Sequence, residues 1–236
     1  NMGNVYLFLG AHGRAKDHYE KALHIQSEIG ARNDEALSLG NLALAHHYLG
    51  QHAVARDLAR QGLQIAQETG ERRTEGAMWM KLGHARAGLG QPDGAARCYR
   101  ESVELRREMG WDSVAMEPVA GLAEVALTQG RLEEAREYGE EIWVHLQTGT
   151  LEGTVAPFQV YLTCYRVLAA VDDPRAGQIL ERAHKELQER AARITDEEMR
   201  RSFLENVEPH RQILHLYRQE QGASPERPTP YRGKTL

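Results

Sequence analysis

Two cysteines in 236 residues, Cys98 and Cys164, are too few for a disulfide framework, which points to a reducing compartment. Long apolar runs are also lacking. None approaches the ~18 to 20 residues of a membrane-spanning helix, and no charged-then-apolar signal pattern opens the chain. Basic clusters are absent: 29 Lys and Arg face 34 Asp and Glu, and the net charge of -5 leaves no stripe to neutralise phosphates. The expected setting is therefore cytoplasmic, away from nucleic acid and membrane.

Sequence motifs that carry chemistry are equally scarce. Residues 83–90 are glycine-rich, but no Gly-Lys-Ser/Thr follows and no strand precedes them, so a P-loop is excluded. Eleven histidines include no His-x-x-x-His pair, and His46 and His47 are adjacent, about 100° apart on a helix. Cys98 falls on an apolar stripe beside Tyr99, the place of a structural thiol and not of a nucleophile. Glu133-Glu134, Glu140-Glu141 and Glu197-Glu198 sit at helix starts or polar faces, where solvation accounts for them. No catalytic residue, cofactor or metal is expected, and the chain reads as a non-enzyme.

Glycine is plentiful, at 22 residues, and its placement is regular. Gly10, Gly30, Gly50, Gly70, Gly90, Gly110 and Gly130 form a series with a step of 20. Ala15, Ala55, Ala95 and Ala135 recur at twice that step, as do Leu23, Leu63, Val103 and Trp143. The unit is 40 residues in two halves. Each half carries helical spacing, as in Ala55, Leu58, Ala59, Gly62, Leu63 and Ala66, or Trp79, Leu82, Gly83 and Leu89. Roughly seventeen helical residues and a glycine turn account for the step. A helix pair cannot bury its stripe alone, whereas stacked pairs share a core, so the pattern predicts an all-α solenoid of antiparallel helix pairs.

These residues resemble tetratricopeptide repeats of the long, 40-residue variety. The resemblance lies in Trp79, Leu82-Gly83 and Gly90 for a first helix, and in Ala95, Tyr99 and Ser102 for a second. The linking Glu28-Ile-Gly30, Glu68-Thr-Gly70 and Glu108-Met-Gly110 are similar to those of bacterial signal-transduction ATPases and spindle-orientation adaptors. It implies a right-handed superhelix over residues 1–193, about five pairs with the first truncated, then a capping helix region at 194–221; the proline-rich, polar composition beyond it predicts a disordered tail at 222–236. Thr195 and Glu198 suggest a capping box there, and Pro209 a break. Because Asn1 opens the sequence, a piece of a longer polypeptide is expected.

The resemblance further implies a concave groove lined by first helices, holding a peptide or protein. Matching inner positions are Asn1 and Asn4 in the first unit and Asn41, Leu44, His47 and Tyr48 in the second. The third supplies Met80, Lys81 and His84, the fourth the carboxylates Glu117 and Glu124, and the fifth Tyr161 and Tyr165. Two other readings stay open: a structural or autoinhibitory module that packs on upstream domains or self-associates through the edge at residues 1–10, and a metal-dependent enzyme. Replacing Ala55 or Ala95 with Leu is expected to overpack the helix seam and cost roughly 1–3 kcal/mol. Urea unfolding checks this.

Overall fold

The structure, a computed structural model, describes residues 2–222. Every regular element among them is a helix. In chain order these are α1 (Met2–Phe8), α2 (His12–Glu28), α3 (Arg32–Tyr48), α4 (His52–Thr69), α5 (Arg72–Gly88) and α6 (Pro92–Glu108). They continue with α7 (Asp112–Thr128), α8 (Leu132–Thr148), α9 (Pro157–Ala170), α10 (Arg175–Ala192), α11 (Glu197–Glu205) and α12 (Glu208–Gly222). Consecutive helices pack along the chain from α1 to α10, and α3, α5, α7 and α9 also touch one another in order. Those four inner helices run along one side of a solenoid. The tail expected at residues 222–236 lies outside the described residues, save Gly222, which ends α12.

The glycine series performs the same task at every corner. All seven glycines have φ between +68 and +74°, a region in which any Cβ is strained. The next residue then donates five positions back, as in Gln51 N to His46 O at 2.9 Å and Trp111 N to Arg106 O at 2.9 Å. At the corner between α9 and α10 the glycine is gone, and Asp172 takes the positive φ (+52°) while Asp173 N closes on Leu168 O at 2.9 Å. Aspartate tolerates this conformation because its short side chain can bond locally.

Small residues let side chains of outer helices reach the inner face. A Cβ on Gly83 or Gly121 would lie 2.5 or 2.7 Å from the Tyr99 ring, so Tyr99 of α6 threads between α5 and α7. Tyr19 of α2 does the same beside Gly3. At Gly139 the space is filled by Val167 of α9. Pro118 lies inside α7 and has no N–H for the Val114 carbonyl; the Arg106 guanidinium donates to that oxygen instead.

The C-terminal helices depart from the expected detail. The cap of α11 is Asp196, whose carboxylate accepts from Met199 N at 2.8 Å, and not Thr195, because the extended residue falls one position later. Pro209 marks a break: α11 stops at Glu205 and α12 restarts at Glu208, with proline in its first turn. Helix α11 also folds back on the N-terminal end. Phe203, fully buried, stacks on Phe8 at 4.7 Å between ring centres, and Ser202 Oγ donates to Leu9 O at 2.7 Å. The two ends of the solenoid meet.

Two glycine variants should separate the two uses of the residue. Gly90→Ala meets open space but keeps a φ of +68°, so it should lose about 1 kcal/mol from backbone strain alone. Gly83→Ala drives a methyl into Tyr99 and should cost roughly 1–3 kcal/mol, with altered near-UV dichroism from the displaced tyrosine. Urea unfolding of both variants checks the order.

Candidate functional site

Closure of the ends turns the groove into a walled hollow. One chamber, of about 470 Å³, is lined by α1, the start of α2, α3, the start of α9, Arg190 of α10 and the α11–α12 junction. A second, of about 630 Å³, lies along the C-terminal halves of α3, α5 and α7 and continues onto α9. Tyr48 and Gln159 border both, so the two form one continuous concave surface.

The predicted asparagines sit in the first chamber with their oxygens occupied. Tyr19 Oη donates to Asn4 Oδ1 at 2.6 Å, and Lys81 Nζ donates to Asn41 Oδ1 at 2.9 Å. In both, the amide NH2 has no protein partner among the described residues and is the group left to donate. The equivalent position at Asn1 lies outside the described residues.

Lys81, expected on the groove surface, is therefore withdrawn from it. It is buried and shares a polar pocket with Glu117 and Arg106, also buried. Burial lowers its pKa to about 8 against the opposing pull of Glu117. Glu117 is no groove carboxylate either: its Oε2 accepts from Val155 N at 3.1 Å, which pins the α8–α9 connection. Burial pushes its pKa up, while Arg106, the Val155 and Ala156 amides and Lys81 hold it down. Glu124 does reach the second chamber, but Arg166 donates to it at 2.8 Å and Thr163 at 3.3 Å, so Glu117 and Glu124 form no open acidic patch among the described residues.

Other expected groove residues are withdrawn from the surface. Leu44 and Met80 are buried, because contacts between neighbouring inner helices sweep their positions into the seams. Tyr161 is buried between helices, its hydroxyl donating to Glu186 of α10 at 2.7 Å. Tyr165 packs on the core and pairs with Glu220 of α12. The long connection before Pro157 breaks the 40-residue register, so on α9 the inner positions are Gln159 and Thr163, with Arg166 beside them.

His47, Tyr48 and His84 do converge, in a row of rings. Tyr48 stacks on His12 at 4.8 Å, His47 lies 5.0 Å from His52 and 5.6 Å from His84, and His84 Nδ1 meets Tyr99 Oη at 2.9 Å. The Nδ1 atoms of His12, His47 and His52 are buried without a hydrogen-bond partner. Desolvation lowers the pKa of His47 to about 4 and that of His84 to about 3, with the neighbouring imidazoles adding to the effect. His47 and His84 are therefore neutral near pH 7. Among the described residues no group of three or more His, Cys, Asp or Glu is placed to hold a metal. Cys98 and Cys164 are buried, and desolvation raises both thiol pKa values, that of Cys164 to about 12.

Sequence reasoning missed His12, Gln159, Thr163, Arg166 and His210. His210 is buried, donates from Nδ1 to Phe203 O at 2.7 Å, and packs edge-on to Phe158 at 4.6 Å. Together Phe8, Phe203, His210 and Phe158 join α1 to α11, α12 and α9.

Family models described as tetratricopeptide repeat match residues 1–68, 76–109 and 116–137. Comparison with curated proteins gives no match. Among solved structures, a putative kinesin light chain from Podosopora anserina with nearly identical TPR-like repeats is 20% identical, with a TM-score of 0.57. The alignment covers 81% of this chain and 93% of that one. A Rap protein complexed with competence and sporulation factor is 15% identical with a TM-score of 0.61, covering 93% of this chain and 62% of that one. A signal transduction ATPase with numerous domains from Pyrococcus horikoshii, carrying a tetratricopeptide repeat sensor, is 18% identical with a TM-score of 0.57. There the alignment covers 81% of this chain and 30% of that chain. At these identities the likeness is one of fold. No helix among the described residues is long and apolar enough to cross a membrane.

The buried imidazoles make stability depend on pH. His47 and His210 titrate near pH 4 and His84 near 3 when folded, against 6.5 when unfolded. Between about pH 6.5 and 4 the unfolded chain binds more protons, so stability should fall as pH falls through that window. Urea midpoints at pH 7.5, 6 and 5 should decline in order, and His47→Gln should make the decline shallower.

Proposed function

Since the chain belongs to the tetratricopeptide-repeat family, we propose that it is a protein-interaction scaffold whose concave hollow binds an extended peptide segment of a partner. The observation that carries this reading is the pair of amides at Asn4 and Asn41, each held by its oxygen with its NH2 unspent at a chamber wall. An extended backbone presents carbonyls to such donors without needing a particular side chain. Tyr48 between the chambers adds a broad ring for an apolar side chain. The finer reading is a ligand-sensing array in a larger bacterial, cytoplasmic signalling polypeptide. It is supported by the likeness to the sensor-bearing ATPase and to the Rap protein solved with its factor.

A second reading, self-association through α1, draws on Met2 and Val5, both about half exposed on that edge. Mass rising with concentration in light scattering would favour it.

For the groove, peptides selected from a displayed random library against the full chain should lose roughly tenfold or more in affinity to Asn41→Ala and Tyr48→Ala, the effect of an interface anchor. Unchanged affinity in both variants would remove the assignment.

A further inference from the structure

The chamber at the meeting of the two ends differs in kind from an open groove. Its rim is closed by the Phe8–Phe203 stack and the Ser202–Leu9 hydrogen bond, so α11 seals one side that a solenoid ordinarily leaves open. A Cβ on Gly10 would lie 2.8 Å from the Asn206 backbone, which shows how tightly that seam is drawn. At about 470 Å³ the chamber sits in the lower half of the ~300–1,000 Å³ span typical of small-ligand sites. No folded domain fits inside.

Its walls are also electrically spent. The charged residues that line it are Arg190 and Glu208. Arg190 is paired with Glu186 at 2.5 Å and lies over the Phe158 ring at 5.1 Å. Glu208 is paired with Arg211 and accepts from Gln212 at 2.6 Å. Glu117, behind the wall, is capped by the Val155 amide and faced by Arg106 and Lys81. The remaining polar groups are the amides of Asn4, Asn41, Gln159 and Asn206, the Tyr48 hydroxyl and the imidazoles of His12 and His210; all are uncharged near neutral pH, since burial lowers the pKa of both imidazoles. Val155, Phe8 and Phe158 supply apolar wall.

From this geometry we infer that the chamber takes a narrow, uncharged segment: a short extended stretch of peptide without Lys, Arg, Asp or Glu, its carbonyls turned to the two amides. The inference rests on the reading of the hollow as the binding surface and names the chemistry of its occupant. A charged side chain brought inside would shed water and find no unpaired opposite charge, a cost that no wall group offsets.

The test needs no partner. Val155, half exposed at the wall, is replaced by Cys, and Gln61→Cys on exposed α4 serves as the surface reference. Each is treated with a neutral, an anionic and a cationic methanethiosulfonate and with a polyethylene-glycol maleimide; buried Cys98 and Cys164 are the common background. Relative to the reference, both charged reagents should react at Val155→Cys roughly tenfold or more slowly than the neutral one, and the polymer reagent should lag further. Gln159→Cys, on the same wall, repeats the measurement independently. A charged reagent of either sign that matches the neutral one at both positions overturns the inference, as does a polymer reagent that reacts there as fast as at Gln61→Cys. If charge discrimination holds while library selection yields no peptide, the scaffold reading and the peptide occupant fail together, and only the exclusion of charge from the chamber stands. If peptides are selected but place charges against Val155→Cys in cross-linking, the reverse is true.

Discussion

A pair of amphipathic helices has more apolar surface than it can cover, and this one constraint organises the molecule. Each pair from α1–α2 onward hides its stripe only against the next, so the stack lives or fails at its seams. Those seams close because Ala15, Ala55, Ala95 and Ala135 are small and wholly buried there. Where a glycine gives still more room, as at Gly83 and Gly121, a tyrosine from the outer layer passes through to the inner face. Tight packing and a polar inner surface thus have the same origin: the space saved at a small residue delivers a hydroxyl to His84 or Asn4.

An array built this way has two raw ends, and here they cover each other. The Phe8, Phe203, His210 and Phe158 cluster is at once a cap for both ends and the closing wall of a chamber. Stability and selectivity are therefore linked at one place. The same burial that protects the ends keeps His210 neutral and leaves the chamber without free charge.

Much of the fold was legible because its determinants are local and repeated. The 20-step glycines demand a positive φ by themselves, and the 40-step alanines announce a translated seam; neither needs knowledge of distant residues. The candidate site was legible only in part. Asn4, Asn41, His47, Tyr48 and His84 lie at the hollow as their helical positions suggested. Leu44 and Met80 do not, because which inner positions stay open depends on how closely neighbouring first helices approach. Tyr161 and Tyr165 were misplaced because the connection between α8 and α9 shifts the register, and the carboxylates because their partners, Val155 and Arg166, come from that same shifted element.

By itself, then, the order of residues determined helix, corner and repeat, since these follow from spacing and backbone strain within a few turns. Only tertiary structure decided that the groove is closed, that Lys81 and Glu117 are interior, and that the chamber is neutral. Those outcomes depend on contacts such as Ser202 with Leu9, 193 positions apart, and on desolvation, which is a property of everything packed around a group and not of the group's neighbours in sequence.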